Sequence, residues 1–460
     1  MSKVKRCFAN FSPFDQKTIE TKLEEMAAKG WMIQKLGNLF WTYERTEPQR
    51  LHFAVTYFPE ASEFDPKPSE GQLTREEFCT QDGWQLAVRW GAMQIFYSTQ
   101  ENPVPIDTDP VTQVETICRT MKKTVVPTQL VSLPISVFYL VFQLWELWHD
   151  PVDYLASSYK LLSLPMWPLL ILVEGYELWF CFHWCRRAKK AARDGVFLPV
   201  RSHQFLSWFV LAVAALFLLL SMGGSAFSAS AVAFGVVMTF IGMAVGNGLS
   251  GWLKEQGASR RVNMVVSSVG VLLVVILAFA GMFALMIGNR FPFSPGSTPV
   301  DTYEWNGHTY DIYDDPLPLE LEDLVEAEAR WSKKAEIQES VFLTYGEYTQ
   351  RPLYSEEVDY QIRYDITDVK VPALYPFIKE SLVNARQDQL HGDFVFVDHF
   401  EPADPAPWGA QEAYQLRGND GLMNTYLVCW EDRIVEIKFY WTPTAEQITR
   451  AADILHMGTE

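Results

Sequence analysis

The chain has 460 residues and a formal net charge of −18. Its length is enough for about three domains of ordinary size. Its charge is segregated: residues 1–120 carry 13 basic and 17 acidic side chains, residues 121–290 carry 13 and 7, and residues 291–460 carry 12 and 32. A nucleic-acid-binding domain needs a basic face. Because both ends of the chain are net acidic, the composition argues against a nucleic-acid partner.

A helical pattern that ends in Gly-Trp occurs twice within residues 1–105. The first copy ends at Gly30-Trp31 and leads into a hairpin over residues 32–45, and the second ends at Gly83-Trp84 and leads into residues 85–98. Glycine just beyond a helix end adopts a positive φ at little cost, and the tryptophan after it would start a strand and fill the core. The pattern predicts an α+β domain with two helices on one sheet. The strand 51–58 is expected to join the first hairpin.

This region resembles a known bacterial family. The residues from Phe14 through the helix that ends at Trp31, the Trp41–Tyr43 strand and the Gly83-Trp84 turn are similar to the domain of unknown function 2812 family, over about residues 1–105. Members of that family also have several membrane helices after the domain. They often lie beside PadR-type transcription regulators, which implies a regulatory or envelope-stress setting and a transcription regulator as cytoplasmic partner. The resemblance implies no catalytic residue.

Five apolar stretches follow a linker over residues 106–124, and each is long enough to cross about 30 Å of hydrocarbon. They cover about residues 125–148, 161–184, 205–222, 231–249 and 262–287. The predicted fold class is therefore membrane α-helical, with about five spans over residues 125–288, flanked by two α+β soluble domains. The third and fourth stretches are short and joined by small residues, so a re-entrant hairpin is the alternative there.

The loops between these stretches predict their orientation. Residues 186–201 contain six Lys or Arg and one Asp, and residues 250–261 contain three Lys or Arg and one Glu. The loops near 150–153 and 223–230 have almost no basic charge. By the positive-inside rule, we expect a multi-pass protein of the cell membrane, in contact with the lipid bilayer, with its N-terminus in the cytoplasm and its C-terminus outside.

After a linker over residues 289–302, the chain predicts an acidic, extracytoplasmic α+β domain over residues 303–460. Asn306-Gly307 is typical of a type I′ hairpin turn, and Thr444 with Gln447 matches a capping box at the start of a helix over 444–455. An acidic helix is predicted over residues 319–335. A helix is also predicted over 371–385, and strands over 358–364, 394–400, 426–430 and 434–439.

Glu174 and Glu177 are the candidate intramembrane polar site. They are three residues apart, hence on one helix face, in the inner half of the second stretch. Carboxylates at that depth usually face protein or water and often matter for function, so this pair could carry protons or hold a cation. The alternative is that they pair with Arg186, Arg187 or hydroxyl groups of a neighbouring helix.

Cys181, His183 and Cys185 invite a metal hypothesis, but His183 points away from the cysteine face and no second ligand pair is near for a tetrahedral zinc site. His391, Asp393, Asp398 and His399 are close in sequence, yet alternation in a strand would scatter them over both faces. Cys429 is the single cysteine of the outer domain, so no disulfide is expected within it. We therefore predict no catalytic residue, no cofactor and no metal site.

The glycines of residues 246–251 match a dinucleotide-binding pattern by letter, but they follow a membrane stretch rather than a strand. Gly242 and Gly246 fit a small-xxx-small contact better, which predicts helix–helix association.

The arrangement predicts a non-enzymatic bacterial membrane protein with a sensory or regulatory role. Its outer domain would bind a ligand or partner, and the helices would pass a shift to the cytoplasmic domain. The alternative is a transporter, or an accessory subunit with another membrane subunit as partner, that uses Glu174 and Glu177.

Overall fold

The computed structural model describes residues 4–8, 14–37, 40–200, 209, 212–213, 215, 226–287, 299–327, 329–353, 359–384, 389–391, 394–396, 398–418 and 421–457. The chain divides into two compact units. The first consists of Met1–Phe138, Trp167–Leu220 and Ser230–Pro292, and the second of Tyr139–Met166, Ser221–Ala229 and Phe293–Glu460.

The first unit begins with two antiparallel sheets of three strands, in the orders β1-β3-β2 and β4-β6-β5. The elements are β1 (Val4–Phe8), α1 (Gln16–Ala28), β2 (Trp31–Lys35), β3 (Phe40–Arg45), β4 (His52–Tyr57), α2 (Glu70–Gln81), β5 (Gln85–Trp90) and β6 (Met93–Ser98). Gly30 and Gly83 have φ of 76° and 87°, as the Gly-Trp pattern predicts. Trp84 is buried with Phe96, whereas Trp31 is half-buried beneath the cations of Lys5 and Arg45.

The prediction that β4 joins the first hairpin in a single sheet was wrong. β4 pairs with β6 over its whole length, with Val55 opposite Ile95. β1 completes the first sheet beside β3, and β4 pairs with the second hairpin through β6, so the segment forms two three-stranded sheets instead of one.

The core of this domain continues into long helices. Residues 110–124, expected as a linker, are the first turns of α3 (Pro110–His149), which contains Pro127 and Pro134. Its residues Ile117 and Cys118 are buried in the same cluster as Ile19 of α1. The far end of α6 (Met166–Arg193) enters this cluster too, through Cys185, Ala188 and Ala192.

Two further helices of the first unit are α7 (Ala226–Glu255) and α8 (Arg260–Ile287). They approach closely at glycines: a Cβ on Gly246 would lie 3.1 Å from Val271 Cγ2, and one on Gly270 would collide with Leu249 Cδ1. Gly242 also faces Val271.

Three helical stretches are long and apolar enough to cross a membrane: Pro110–His149, Ser158–Arg193 and Arg260–Ala278. They contain the whole of the first and second predicted spans and residues 262–278 of the fifth, so three of the predicted spans coincide with candidate membrane helices. α7 is helical over the fourth predicted span. The third predicted span, 205–222, and with it the re-entrant alternative, falls largely outside the described residues.

The second unit is built on a seven-stranded antiparallel sheet of order β14-β15-β16-β17-β11-β10-β9. Its elements are α4 (Pro151–Ala156), α5 (Ser158–Ser163), β7 (Asp301–Trp305), β8 (His308–Ile312), β9 (Trp331–Glu339), β10 (Leu343–Pro352), β11 (Ile362–Val369), α9 (Tyr375–Asn384), β12 (Gln389–His391), β13 (Phe394–Phe396), β14 (His399–Ala403), β15 (Glu412–Gly418), β16 (Gly421–Cys429), β17 (Arg433–Phe439) and α10 (Ala445–Met457).

Local signals in this unit were predicted well. Trp305 pairs with His308 around Asn306 and Gly307, whose φ values of 49° and 79° confirm the type I′ turn. Gln447 Oε1 accepts from Thr444 N at 2.9 Å and Thr444 Oγ1 accepts from Gln447 N at 3.3 Å, which confirms the capping box.

The predicted acidic helix over 319–335 was wrong. Among the described residues of this segment, Leu321–Asp323 forms a short 3-10 turn and Trp331–Glu339 is the edge strand β9. Leu319 and Leu321 are both fully buried at a spacing of two. Their backbone N–H groups donate to Tyr364 Oη and Gln350 Oε1 instead of to a helical carbonyl. Tertiary hydrogen bonds therefore hold this segment extended.

Different helices pack on the two faces of the seven-stranded sheet. Val428 and Ile437 belong to a cluster with α10, whereas Leu427 and Ile434 belong to a cluster with α9 and α4. α4 belongs to the segment that joins α3 to α6, between two predicted membrane spans. Its residues Val152 and Leu155 are nevertheless part of the core of the C-terminal domain.

Candidate functional site

A cavity of about 260 Å³ lies between α4 and the strands β10, β11 and β17 in the second unit. Five carboxylates line it, together with Tyr345, Thr367 and three aliphatic side chains. The carboxylates belong to Asp150, Asp153, Glu347, Asp365 and Glu436, and the aliphatic side chains to Val152, Leu382 and Ile434.

The register of the sheet places acidic residues beside one another. Glu347 is opposite Glu336 on one side and Asp365 on the other, and Asp365 is opposite Glu436. Like charges directly across a sheet are unfavourable. The row is partly compensated by Arg363, whose Nη2 lies 3.5 Å from Glu347 Oε2 and whose Nε lies 3.9 Å from Asp365 Oδ1.

The remaining acidic groups of the cavity come from the start of α4. Asp150 caps this helix, since its Oδ1 accepts from Asp153 N at 3.2 Å. Asp153 binds Lys160 Nζ at 2.6 Å through Oδ2 and accepts from Gln338 Nε2 at 3.3 Å through Oδ1. These contacts fix the two carboxylates at the cavity wall.

Tyr345 supplies a neutral polar group. Its hydroxyl donates to Glu347 Oε1 at 3.0 Å, and burial raises its pKa far above the ordinary range, so the hydroxyl keeps its proton. A cavity with carboxylates on its walls and aliphatic side chains beside them is suited to a small cation that also has an apolar part.

α4 and α5 are hydrogen-bonded to the sheet domain beside the cavity. Ser340 Oγ donates to Leu155 O at 2.5 Å, and Ser158 Oγ donates to Glu339 O at 2.9 Å. Trp148, at the end of α3, packs against Phe377 of α9 with ring centroids 6.2 Å apart. The connection between α3 and α6 therefore forms part of the cavity wall.

Glu174 and Glu177 lie on α6 within a candidate span, and Glu177 contacts α3. Glu177 Oε2 accepts from Gln129 Nε2 at 2.5 Å, and Gln129 Oε1 accepts from Ser132 Oγ at 2.9 Å. Glu174 is only 8% exposed, and its Oε2 has no hydrogen-bond partner among the described residues. Within that part of the chain, no ion pair joins either carboxylate to Arg186 or Arg187.

The arrangement of the cysteines differs from the one that the metal hypothesis requires. Cys185 forms a disulfide with Cys118 of α3, with 5.8 Å between the Cα atoms, and Cys181 is a free buried thiol. His183 stacks on Trp179. The described residues contain no group of three or more His, Cys, Asp or Glu side chains arranged to hold a metal ion.

The His/Asp segment of the outer domain also has ordinary contacts. His391 ends β12, and His399 Nε2 lies 3.2 Å from Glu401 Oε1, which in turn lies 2.7 Å from Arg417 Nε. Asp398 precedes β14, and Asp393 lies outside the described residues.

Sequence reasoning missed a clamp on the loop between β4 and α2 in the first unit. From α3, Lys123 Nζ donates to Pro59 O at 2.9 Å and Arg119 Nη1 to Glu60 Oε1 at 3.1 Å. From α8, Arg260 Nη1 donates to Glu60 O and Asn263 Nδ2 to Phe64 O, both at 3.0 Å. Two of the long helices, α3 and α8, are therefore hydrogen-bonded to one loop of the N-terminal domain.

The fold defines a class: a protein with helices able to cross a membrane, joined to α+β domains of separate architecture. Residues 15–128 match the model of a family described as "Protein of unknown function (DUF2812)", which confirms the resemblance for this part of the chain. The match extends into α3, whose first turns are buried in the domain core. No curated protein and no solved structure is similar to the chain.

Proposed function

We propose that this is a bacterial sensory protein of the cell membrane. A small organic cation would bind the acidic cavity outside the cell, and the membrane helices would pass the resulting shift to the DUF2812 domain in the cytoplasm, where a transcription regulator would be its partner. The observation that carries the proposal is the position of the cavity, between the sheet and the α4 segment that joins α3 to α6.

Contacts within each unit support the proposed topology. The segment predicted outside, α4 and α5, is bonded to the C-terminal sheet through Ser340 and Glu339. Arg260, in a loop predicted inside, and Asn263, two residues after that loop, bond to the DUF2812 domain through Glu60 and Phe64. Each of these connections therefore packs with the soluble domain that the positive-inside rule assigns to its own side.

The chemistry of the cavity supports a cation as the signal. Carboxylates from Glu347, Asp365 and Glu436 are neighbours across three strands, and a bound cation would relieve their repulsion. Because Asp150 and Asp153 lie on the other wall, the same cation would draw α4 towards the sheet. Because α3 ends at His149, directly before α4, that movement would also displace the end of α3.

The experiment uses full-length protein in lipid nanodiscs and 1,4-diaminobutane as the probe. We expect binding by calorimetry and slower hydrogen exchange both in residues 150–163 and in the loop 58–69. Glu347→Gln should weaken binding at least tenfold, whereas Glu304→Gln, on an exposed hairpin, should leave it unchanged. Absence of diamine binding, or equal binding by both variants, contradicts the proposed ligand site. Binding without any change in residues 58–69 contradicts signalling to the DUF2812 domain.

A transporter or a transporter subunit is the second candidate, supported by Glu174, a buried carboxylate within a candidate span. Glu174→Gln and Glu177→Gln discriminate the two functions in proteoliposomes. Loss of proton or cation flux in a folded variant would favour transport. Loss of folding alone would favour a packing role, because Glu177 joins α6 to α3 through Gln129.

A further inference from the structure

The disulfide between Cys118 and Cys185 joins α6, which carries Glu174 and Glu177, to α3, which carries Gln129. Cys118 belongs to α3 and Cys185 to α6, and the residues are only 2% and 4% exposed. Both lie in the cluster that forms the core of the DUF2812 domain, close in sequence to Ile117 and Ala188. The bond therefore links the membrane helices at the place where they enter that domain.

The charges beside this bond identify its compartment. Lys122 and Lys123 follow Cys118 by one turn, and Arg186 and Arg187 follow Cys185 directly. Positive charge next to membrane spans is typical of the cytoplasmic side. In that compartment low-molecular-weight thiols keep cysteines reduced, and disulfides are transient and redox-sensing.

We infer that Cys118 and Cys185 are a reversible thiol-oxidation site, whose co-reactants are a low-molecular-weight disulfide in one direction and the corresponding thiol in the other. This inference rests on the proposed topology. Oxidation would hold α3 and α6 together about two to three helical turns from the Gln129–Glu177 hydrogen bond, and reduction would release them. The DUF2812 domain would then respond to the cytoplasmic thiol pool as well as to an external ligand.

The chemistry is a two-step exchange. One protein thiolate attacks a sulfur of the small disulfide, which forms a mixed disulfide and releases one small thiolate. The second protein thiolate then attacks the protein sulfur of the mixed disulfide, which closes the Cys118–Cys185 bond and releases the second small thiolate. The two protein thiols lose two electrons and two protons, and the small disulfide gains them as two thiols. Because both cysteines are buried, the exchange requires local opening of the α3–α6 contact.

The test counts free thiols in the full-length protein in native membranes. The chain has six cysteines, of which Cys7, Cys79, Cys181 and Cys429 are free in the oxidised form. After incubation with oxidised or reduced glutathione, samples are quenched in acid, unfolded in detergent and alkylated with a maleimide-polyethylene glycol. We expect four additions after oxidation and six after reduction, and six in acid-quenched growing cells.

Single variants identify the pair. Cys118→Ser and Cys185→Ser should each give five additions after reduction and lose at most one on oxidation, as a trapped mixed disulfide. Cys181→Ser, which removes a buried thiol on the same helix, should still change by two. Four additions in growing cells and after reduced glutathione would mean a permanent bond and would overturn the inference. Six additions under all conditions would overturn it as well.

A reporter enzyme fused after residue 460, active only outside the cytoplasm, separates this inference from the proposed function. An active reporter with a permanent bond rejects the redox site and leaves the topology standing. An inactive reporter rejects the topology itself, and with it the compartment argument for the site.

Discussion

Glu20 Oε1 of α1 accepts a hydrogen bond from the backbone N–H of Val55 in β4 at 2.9 Å. Gln16 Nε2, one turn earlier, donates to Val55 O at 2.7 Å, and Glu24 Oε1, one turn later, accepts from Phe53 N at 3.4 Å. β4 is an edge strand, whose outer backbone groups would otherwise lack partners. One stripe of α1 at a spacing of four residues therefore closes this edge of the sheet.

This contact predicts a pH dependence of stability. Burial is the main cause that raises the pKa of Glu20 from 4.5 to about 7. Between those values the unfolded chain releases this proton and the folded domain keeps it, so the contribution of Glu20 is fully present below pH 4.5 and is lost as pH rises through 7. The shift corresponds to at most about 3 kcal/mol.

We therefore expect Glu20→Gln to raise the unfolding temperature of the full-length protein at pH 8 and to change it little at pH 4.5. Calorimetric scans between pH 4.5 and 8 measure this. Glu25→Gln, on the exposed side of the same helix, is the control and should follow the wild-type curve. Equal pH curves for wild type and Glu20→Gln would refute the role assigned to Glu20.

The close approach of α7 and α8 gives a second prediction. A side chain at Gly270 would collide with Leu249, whereas the space around Gly281 on the same helix is open within the described residues. Gly270→Val should therefore separate the two helices and lower stability by about 1–3 kcal/mol. Thermal unfolding of the purified protein tests this, and Gly281→Val should have a smaller effect. Similar losses in both variants would contradict close packing at Gly270.

The features that were predicted correctly depend on neighbours in sequence. Gly30, Gly83 and the Asn306-Gly307 turn need a positive φ, and Thr444 caps a helix that starts one residue later. Hydropathy over twenty residues is likewise a local quantity, which is why three of the predicted spans are found as candidate helices.

The features that were missed depend on contacts between distant segments. Cys118 and Cys185 are 67 residues apart, and Ser340 and Leu155 are 185 apart. No pattern along the chain indicates that α4 belongs to the core of the C-terminal domain. The cavity was missed for the same reason: alternation could show that Glu347 and Asp365 share a sheet face, but only strand pairing makes them neighbours.

The hydrogen bond between Ser340 and Leu155 predicts how α4 is held. Ser340 is buried, and its Oγ donates to Leu155 O at 2.5 Å while it accepts from Phe342 N at 3.0 Å. Ser340→Ala leaves these groups without their partner, which costs about 1–3 kcal/mol. We expect faster hydrogen exchange in residues 150–163. Ser158→Ala removes an exposed bond to Glu339 and should change exchange less. Unchanged exchange in Ser340→Ala would show that packing alone retains α4.

Arg433 ties the C-terminal helix to the sheet. Its Nε and Nη2 donate to the two carboxylate oxygens of Asp368 at 2.5 and 3.0 Å, and its Nη1 donates to Leu455 O at 2.6 Å, near the end of α10. A cation there also interacts favourably with the helix dipole. Arg433→Met keeps much of the aliphatic volume and removes all three bonds, so we expect a loss of about 1–3 kcal/mol.

α10 covers one face of the sheet through Ala451 and Leu455. The loss of the Arg433 bonds should therefore increase the rate of hydrogen exchange in residues 445–457 more than in the sheet. Hydrogen exchange with mass spectrometry resolves the two segments. Arg417→Met is the matched control: its pair with Glu401 is well exposed, and surface pairs contribute about 0–1 kcal/mol. If both variants lose the same stability, or if the sheet exchanges first in Arg433→Met, then Arg433 does not anchor α10.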